Sequence, residues 1–291
     1  MDENKAFDGD PNQLLAWHVT MGADEAIGDA PVNHFKEPET TTENASSSSK
    51  AGAKAASQAA ANSTHQTKHT GAGQNLARGH ATGQQTGDNA AAAAAAEHTA
   101  HECETLEALK AALDAFPGCP LKRTATKTVF GTGNPQADIM IIADPPGEAE
   151  DRSGEPFSGE PGQLFNKMMA AIGQSRDTDL YLSNIIPWRP PGGRAPHPHE
   201  LATALPFVQR QISLVKPKVI LLMGDGAYKF LTNDKKPIAK ARGNWSTLTI
   251  NNQSFDVLAT YHPRYLLQQP LLKRDSWQDL QSLMQKLGQQ K

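Results

Sequence analysis

Cysteine is nearly absent: 291 residues hold two, Cys103 and Cys119, too few for a disulfide framework. Long apolar runs are also missing, and no stretch approaches the roughly 20 residues that a membrane-crossing helix needs. The opening residues, Met1-Asp2-Glu3-Asn4-Lys5, lack the basic and then apolar regions of a secretion signal. Nor does charge of one sign dominate, since the formal net charge is only −3. A disulfide-stapled secreted scaffold and a helical membrane protein are both excluded, and the expected location is the cytoplasm. The chain is long enough, and at 38% hydrophobic apolar enough, to bury a core.

The small net charge conceals a division. Residues 1–100 hold 6 Lys/Arg against 12 Asp/Glu, whereas the remaining 191 hold 22 against 19. An acidic N-terminal part thus precedes a mildly basic C-terminal one, a balance compatible with nucleic acid. Residues 1–39 form a short N-terminal segment with a helical pattern over 10–35. Asp10 can cap it, Pro11 suits its first position, and Leu14, Trp17 and Met21 share a face. Residues 40–98 read as a disordered low-complexity linker. They are rich in Ser, Thr, Gln, Gly and Ala, with almost no large apolar side chain to offset the entropy of ordering. The alanine run Ala90–Ala96 would form at most a transient helix. His65, His69, His80, His98 and His101 lie in or beside this linker, but without metal-ligand spacing.

From residue 99 to 291 the text is that of one globular domain. Strand-like runs at Thr128–Gly131, Asp138–Asp144, Leu180–Ile186, Lys218–Gly224 and Phe255–Tyr261 alternate with helical patterns. Residues 104–115 repeat leucine on one side. Residues 161–172 set Leu164, Phe165, Met168, Met169 and Ile172 on a common face, closed by Gly173. Leu201, Leu205, Val208, Ile212 and Val215 mark a further helix, with a bend expected at Pro206. The last helix takes Asp275 as its expected cap. Continuous apolar strands such as "IMIIAD" and "VILLMG" belong to a parallel sheet covered on both faces. The expected fold is a three-layer α/β/α sandwich with a central, mostly parallel sheet.

Ligands of such sheets bind beyond the carboxyl ends of the strands. The segments there are "DPPGEAEDRSGEPFSG", "NIIPWRPPGGRAPHP", "GDGAYK" and "TYHPRYLLQQP". Three of the four are rich in proline, glycine and polar groups. "GDGAYK" lacks the spacing of a nucleotide-triphosphate loop.

These loops resemble the uracil-DNA glycosylase superfamily, most closely its family 4. The resemblance rests on Ala143-Asp144-Pro145-Pro146-Gly147 with Glu150-Asp151, Gly154 and Pro156-Phe157-Ser158-Gly159. It continues with Tyr181 and Asn184, then Arg189-Pro190-Pro191-Gly192-Gly193-Arg194, and ends with Thr260-Tyr261-His262-Pro263-Arg264-Tyr265-Leu266-Leu267. The matches fall in order from about Cys119 to the end. They imply excision of uracil from DNA to leave an abasic site, with uracil-containing DNA as partner and a monomer as the working unit.

The residue types suit that chemistry, in which a flipped base leaves as an anion and the sugar becomes cationic. Asp144, Glu150 and His262 are the expected catalytic groups: the carboxylates to position water and oppose the sugar cation, the histidine to hydrogen-bond the departing uracil. Pro145, Gly147, Phe157 and Asn184 are the expected substrate contacts. Phe157 offers a stacking face, and Asn184 an amide that can separate uracil from cytosine. Arg189, Arg194 and Arg264, with Lys273 and Arg274, are expected to meet phosphates. Tyr265 and Leu266 are the expected wedges in the minor groove.

Several positions depart from the family pattern. Family 4 holds a [4Fe–4S] cluster on four cysteines, and the corresponding positions here are Phe116, Cys119, Trp188 and Ala204. One thiolate does not make a four-thiolate site, so no iron–sulfur cluster and no other metal or cofactor is expected. Cys103, read as helical, does not replace a missing ligand. Asp144 stands where the family has glutamate, Gly193 where asparagine is common, and Arg264 where a small residue follows the His-Pro pair. Two alternatives stay open at this point: a non-catalytic DNA-binding relative, and a glycosylase for another damaged base.

Overall fold

A computed structural model of the chain describes residues 81–289, with side-chain surroundings from 87 to 288. The segment 1–39 with its helical pattern, and His65, His69 and His80, lie outside the described residues.

The sheet has six strands: β1 (Thr132–Gly133), β2 (Ile139–Ala143), β3 (Leu180–Asn184), β4 (Val219–Met223), β5 (Trp245–Ile250) and β6 (Gln253–Thr260). Their spatial order is β1-β3-β2-β4-β6-β5. The four central strands are parallel, and the outer two, β1 and β5, pair antiparallel to their neighbours. The central strands are almost wholly buried because both faces are covered. On β2, Met140 and Ile142 enter one apolar cluster, while Ile139, Ile141 and Ala143 enter the other. That alternation is the period-2 geometry of a strand packed on both sides, and it makes the three layers expected.

On one face lie α1 (Ala81–His101), α2 (Leu106–Ala115), α5 (Pro198–Val215) and α6 (Asp225–Thr232). The other carries α4 (Gly159–Ala171), α8 (Pro263–Gln268) and α9 (Lys273–Gln289). Short helices α3 (Glu148–Ser153) and α7 (Ile238–Ala241) fill connections.

The elements differ from the sequence reading in five places. The stretch 81–98, read as linker, is part of α1, and α1 packs on α5 with Ala96 and Ala100 fully or almost fully buried. Alanine favours the helix strongly, and its single methyl lets two helix backbones approach closely, so few large side chains are needed. The Thr128–Gly131 run is not a strand, and the edge strand β1 begins at Thr132. Cys103 sits in the turn between α1 and α2 rather than in a helix. Asp275 lies inside the first turn of α9, which starts at Lys273. The antiparallel edge strand β5 was not foreseen, because its half-exposed pattern mixes polar and apolar residues without strict alternation.

Register gathers the site. Ala143 lies opposite both Asn184 and Met223, and Met223 opposite Thr260. All four central strands therefore end level, and the loops that leave them meet at a single edge. The chain turns from β2 to β3 on one side and from β4 to β6 on the other, so the crevice opens between β2 and β4.

Candidate active site

Asp144 is the first residue past β2. Its Oδ1 accepts the Ala227 N–H at 2.9 Å, at the N-terminus of α6. Gly224, at φ +115°, follows β4 directly against the Asp144 carboxylate, and a Cβ there would collide with it. Only glycine gives both this backbone conformation and the close approach. Burial pushes the Asp144 pKa up to about 6, against the opposing pull of the Ala227 and Gly226 amides and the Arg264 charge.

Asn184 closes β3. Its amide Nδ2 donates to the Asp144 carbonyl at 2.7 Å, which fixes the side chain, while Oδ1 is buried without a partner. Behind it Ser183 and Gln211 bond to one another at 2.7 Å and hold the Phe130 carbonyl. His262 follows β6, and its Nδ1 accepts the Arg264 N–H at 3.0 Å. In the neutral ring the proton must then sit on Nε2, which is also buried without a partner. Burial, then the nearby Arg264 charge, lower the His262 pKa to about 3, so the ring is neutral at neutral pH. The site thus presents one unpartnered acceptor and one unpartnered donor. Left unfilled, each costs about 1–3 kcal/mol.

Phe157 stacks on Phe165, at 4.1 Å between centroids, and its ring runs nearly parallel to that of His262, 12° apart with centroids at 5.7 Å. Its backbone is left-handed, φ 53°, a conformation that costs a non-glycine residue about 1 kcal/mol or more. Two side chains hold it there. Glu150 Oε1 accepts the Phe157 N–H at 2.7 Å, and Arg176 donates to the Phe157 carbonyl at 3.0 Å and to that of Pro156 at 2.5 Å. Arg176 was missed in the sequence, since a lone arginine in a loop between α4 and β3 carries no local signal.

Glu150 has a different setting from the one its position in an acidic loop suggests. It is buried, and both oxygens are engaged: Oε1 by Phe157, Oε2 by the Gly147 N–H at 2.6 Å and by Arg264 Nη2 at 3.2 Å. It therefore clamps the loop, where the sequence reading expects it to position or activate a water. Its neighbour Asp151 is also buried and caps Thr126, through the backbone N–H at 2.9 Å and the hydroxyl at 2.8 Å. Pro145 and Gly147 line the same loop, partly exposed.

The expected DNA contacts separate. Tyr265 is exposed, but Leu266 is completely buried in the core against α4 and α9, so it is no wedge. The helical turn of α8 points it inward. Leu271, in the turn Pro270–Leu272, is instead 92% exposed. Arg194 is tied to the buried Glu200 by two bonds of 2.8 and 2.6 Å, and Arg189 is partly buried. Arg274 is exposed, while Lys273 is partly buried and its pKa is lowered first by burial and then by Lys167.

One further network steadies the histidine loop. Asp279 of α9 is buried and receives Thr260 Oγ1 at 2.7 Å and Arg242 at 2.6 and 3.0 Å, while the Arg242 guanidinium lies 5.9 Å from the Tyr261 ring centre.

The four positions of the family's cluster fall together in one apolar cluster: Phe116, Cys119, Trp188 and Ala204, each at most 5% exposed. Phe116 meets Phe207 edge-on at 5.4 Å, and Trp188 Nε1 donates to Thr128 at 3.3 Å. Rings occupy the space, and one thiol is the sole donor of the four, so the residues present do not fit a four-thiolate cluster. Among the described residues no group of three or more His, Cys, Asp or Glu is arranged to hold a metal, and no helix is long and apolar enough to cross a membrane.

Comparison with known proteins agrees with the geometry. Residues 130–281 match the model of the uracil DNA glycosylase superfamily. The Type-4 uracil-DNA glycosylase of Archaeoglobus fulgidus is 33% identical over 174 residues, covering 58% of this chain and 87% of the relative. That of Thermotoga maritima is 35% identical over 165 residues, covering 56% and 84%. A Type-4 enzyme from Sulfurisphaera tokodaii is 31% identical over 185 residues, covering 62% and 84%. The matched span runs from just before β1 into α9 and takes in every residue of the crevice, and on that span the chain belongs to the uracil-DNA glycosylase superfamily.

Proposed function

We infer that the protein is a uracil-DNA glycosylase, hydrolysing the bond between uracil and deoxyribose and leaving an abasic site that starts base-excision repair. The observation that carries the assignment of roles is the pair of buried, unpartnered atoms at the crevice, Asn184 Oδ1 and His262 Nε2. Uracil has an N3–H donor beside carbonyl acceptors. Cytosine has an unprotonated N3, which would face Asn184 Oδ1 lone pair to lone pair.

In this reading the flipped base lies on Phe157, with its N3–H on Asn184 Oδ1. As the glycosidic bond stretches, negative charge gathers on the base carbonyl and is met by the Nε2–H of neutral His262. Asp144, ionised above about pH 6, faces the cationic sugar and orients the attacking water. Glu150 and Arg176 hold Phe157 and the Gly147 loop in place and do not touch the reacting atoms. Pro145 and Gly147 shape the wall beside the base. Arg189, Arg194, Arg264 and Arg274 face the phosphates, and exposed Tyr265 and Leu271 supply the apolar contact that Leu266 cannot. No step runs through a metal or an iron–sulfur cluster. A single chain carries every residue named, which supports a monomer, and the substrate supports a cytoplasmic location.

The test compares oligonucleotides differing by one base. Wild type should release uracil and not cytosine, and Asn184→Ala should cut uracil about 100-fold more slowly. Binding to both strands without cleavage of either would favour the non-catalytic DNA-binding reading.

A further inference from the structure

The crevice is closed. Phe157, Asn184 and His262 are each at most 4% exposed, so a base reaches the two unpartnered atoms only if something moves. Arg264 is the half-exposed side chain that spans the gap: its side chain is 43% exposed. Its backbone N–H is bonded to His262 on the β6 side, and its guanidinium reaches Glu150 on the β2 side at 3.2 Å. The guanidinium lies so close to Gly147 that Nη2 is 2.6 Å from where a side-chain carbon would stand. The missing side chain of Gly147 is thus the seat of the arginine.

This link is built to exchange. When Arg264 leaves, Glu150 keeps the Gly147 and Phe157 N–H groups on its two oxygens and is not left bare. A guanidinium matches a phosphate with two parallel N–H bonds, whereas Glu150 takes one bond from it here. We propose that Arg264 selects uracil carried on a phosphodiester strand over free uracil: in the unliganded protein it bars the crevice from its seat on Glu150 and Gly147, and a backbone phosphate draws it off as the nucleotide enters. The proposal rests on the glycosylase reading of the site and adds a gate to it. Free uracil has no phosphate and must open the link unaided. Arg264 acts through the opening of the crevice and is a specificity residue, not a catalytic one.

The measurement is the affinity of free uracil, by calorimetry, for wild type and Arg264→Ala, alongside the affinity of a single-stranded uracil oligonucleotide at several salt concentrations. Arg264→Ala should bind free uracil about two- to fivefold more tightly, the fold-change matching a half-exposed ion pair. It should bind the oligonucleotide more weakly, with a salt slope smaller by about one. Uracil affinity unchanged or reduced in Arg264→Ala, while wild type excises uracil, would overturn the gate and leave the glycosylase reading standing. Wild type that neither binds uracil nor cuts it would overturn that reading, and the gate with it. Thermal midpoints of both proteins, and Arg264→Lys as a charge-retaining variant, separate these outcomes from misfolding.

Discussion

The two carboxylates of the first loop stand in different surroundings. Asp144 takes its described hydrogen bonds from the α6 N-terminus and is raised to about 6 by burial, whereas Glu150 accepts from two backbone N–H groups and a guanidinium. Charge flanks Asp144 on two sides, with Arg264 lowering its pKa and Asp225 raising it. If ionised Asp144 is needed, kcat/KM should be flat above about pH 6 and fall about tenfold per unit below it. His262, lowered to about 3, should contribute no limb near its ordinary 6.5. Stability should move the other way. An acid raised from 3.8 in the folded state binds more protons folded than unfolded, so its contribution is full below 3.8 and is lost as pH climbs through about 6. Asp144→Asn should remove that loss, seen as a flatter melting temperature across the window relative to wild type. A profile breaking near 6.5 and unaffected by Asp144→Asn would assign the limb to another group.

At the scale of elements, what was legible came from periodicity. The apolar runs over 139–143 and 219–223, and the leucine and methionine stripe of α4, each occupy the predicted place, since burial on one or both faces writes itself into the sequence. What depends on a distant partner was not legible. Leu266 looks like a wedge in sequence and is core, because the turn of α8 decides which of two adjacent apolar residues faces out. The clamp on Phe157 joins residues 150, 157 and 176, and no local pattern marks it. The α1 helix escapes a sequence reading that treats alanine as a poor source of burial, because here alanine serves close packing instead. Removing residues 1–103 strips that cover from α5, so the truncated chain should melt several degrees lower. Ala96→Asp in the full chain, placing a charge where there is no exposure, should have a comparable effect. Unchanged melting of both would mean that α1 adds nothing to the core.

Over the whole molecule, one fact of register does most of the positioning. Four parallel strands end level, and Asp144, Asn184, Gly224 and His262 stand just beyond or at that edge, the first and last more than 100 residues apart in the chain. The motifs were readable in order, but that they meet required the sheet. The lobe that holds a cluster in family 4 is filled here by Phe116 and Trp188, with α1 packed alongside: Ala92 lies 3.5 Å from the Cβ position of Gly118. Excision that needs neither metal nor cluster is the central claim. Its most direct measurement uses a labelled oligonucleotide with one uracil, incubated with the purified full chain in the presence of a chelator and then cleaved at abasic sites with alkali. Wild type should give a shortened product, and His262→Ala should lose at least about 100-fold. No product from folded wild type, or full activity in His262→Ala, would contradict the claim.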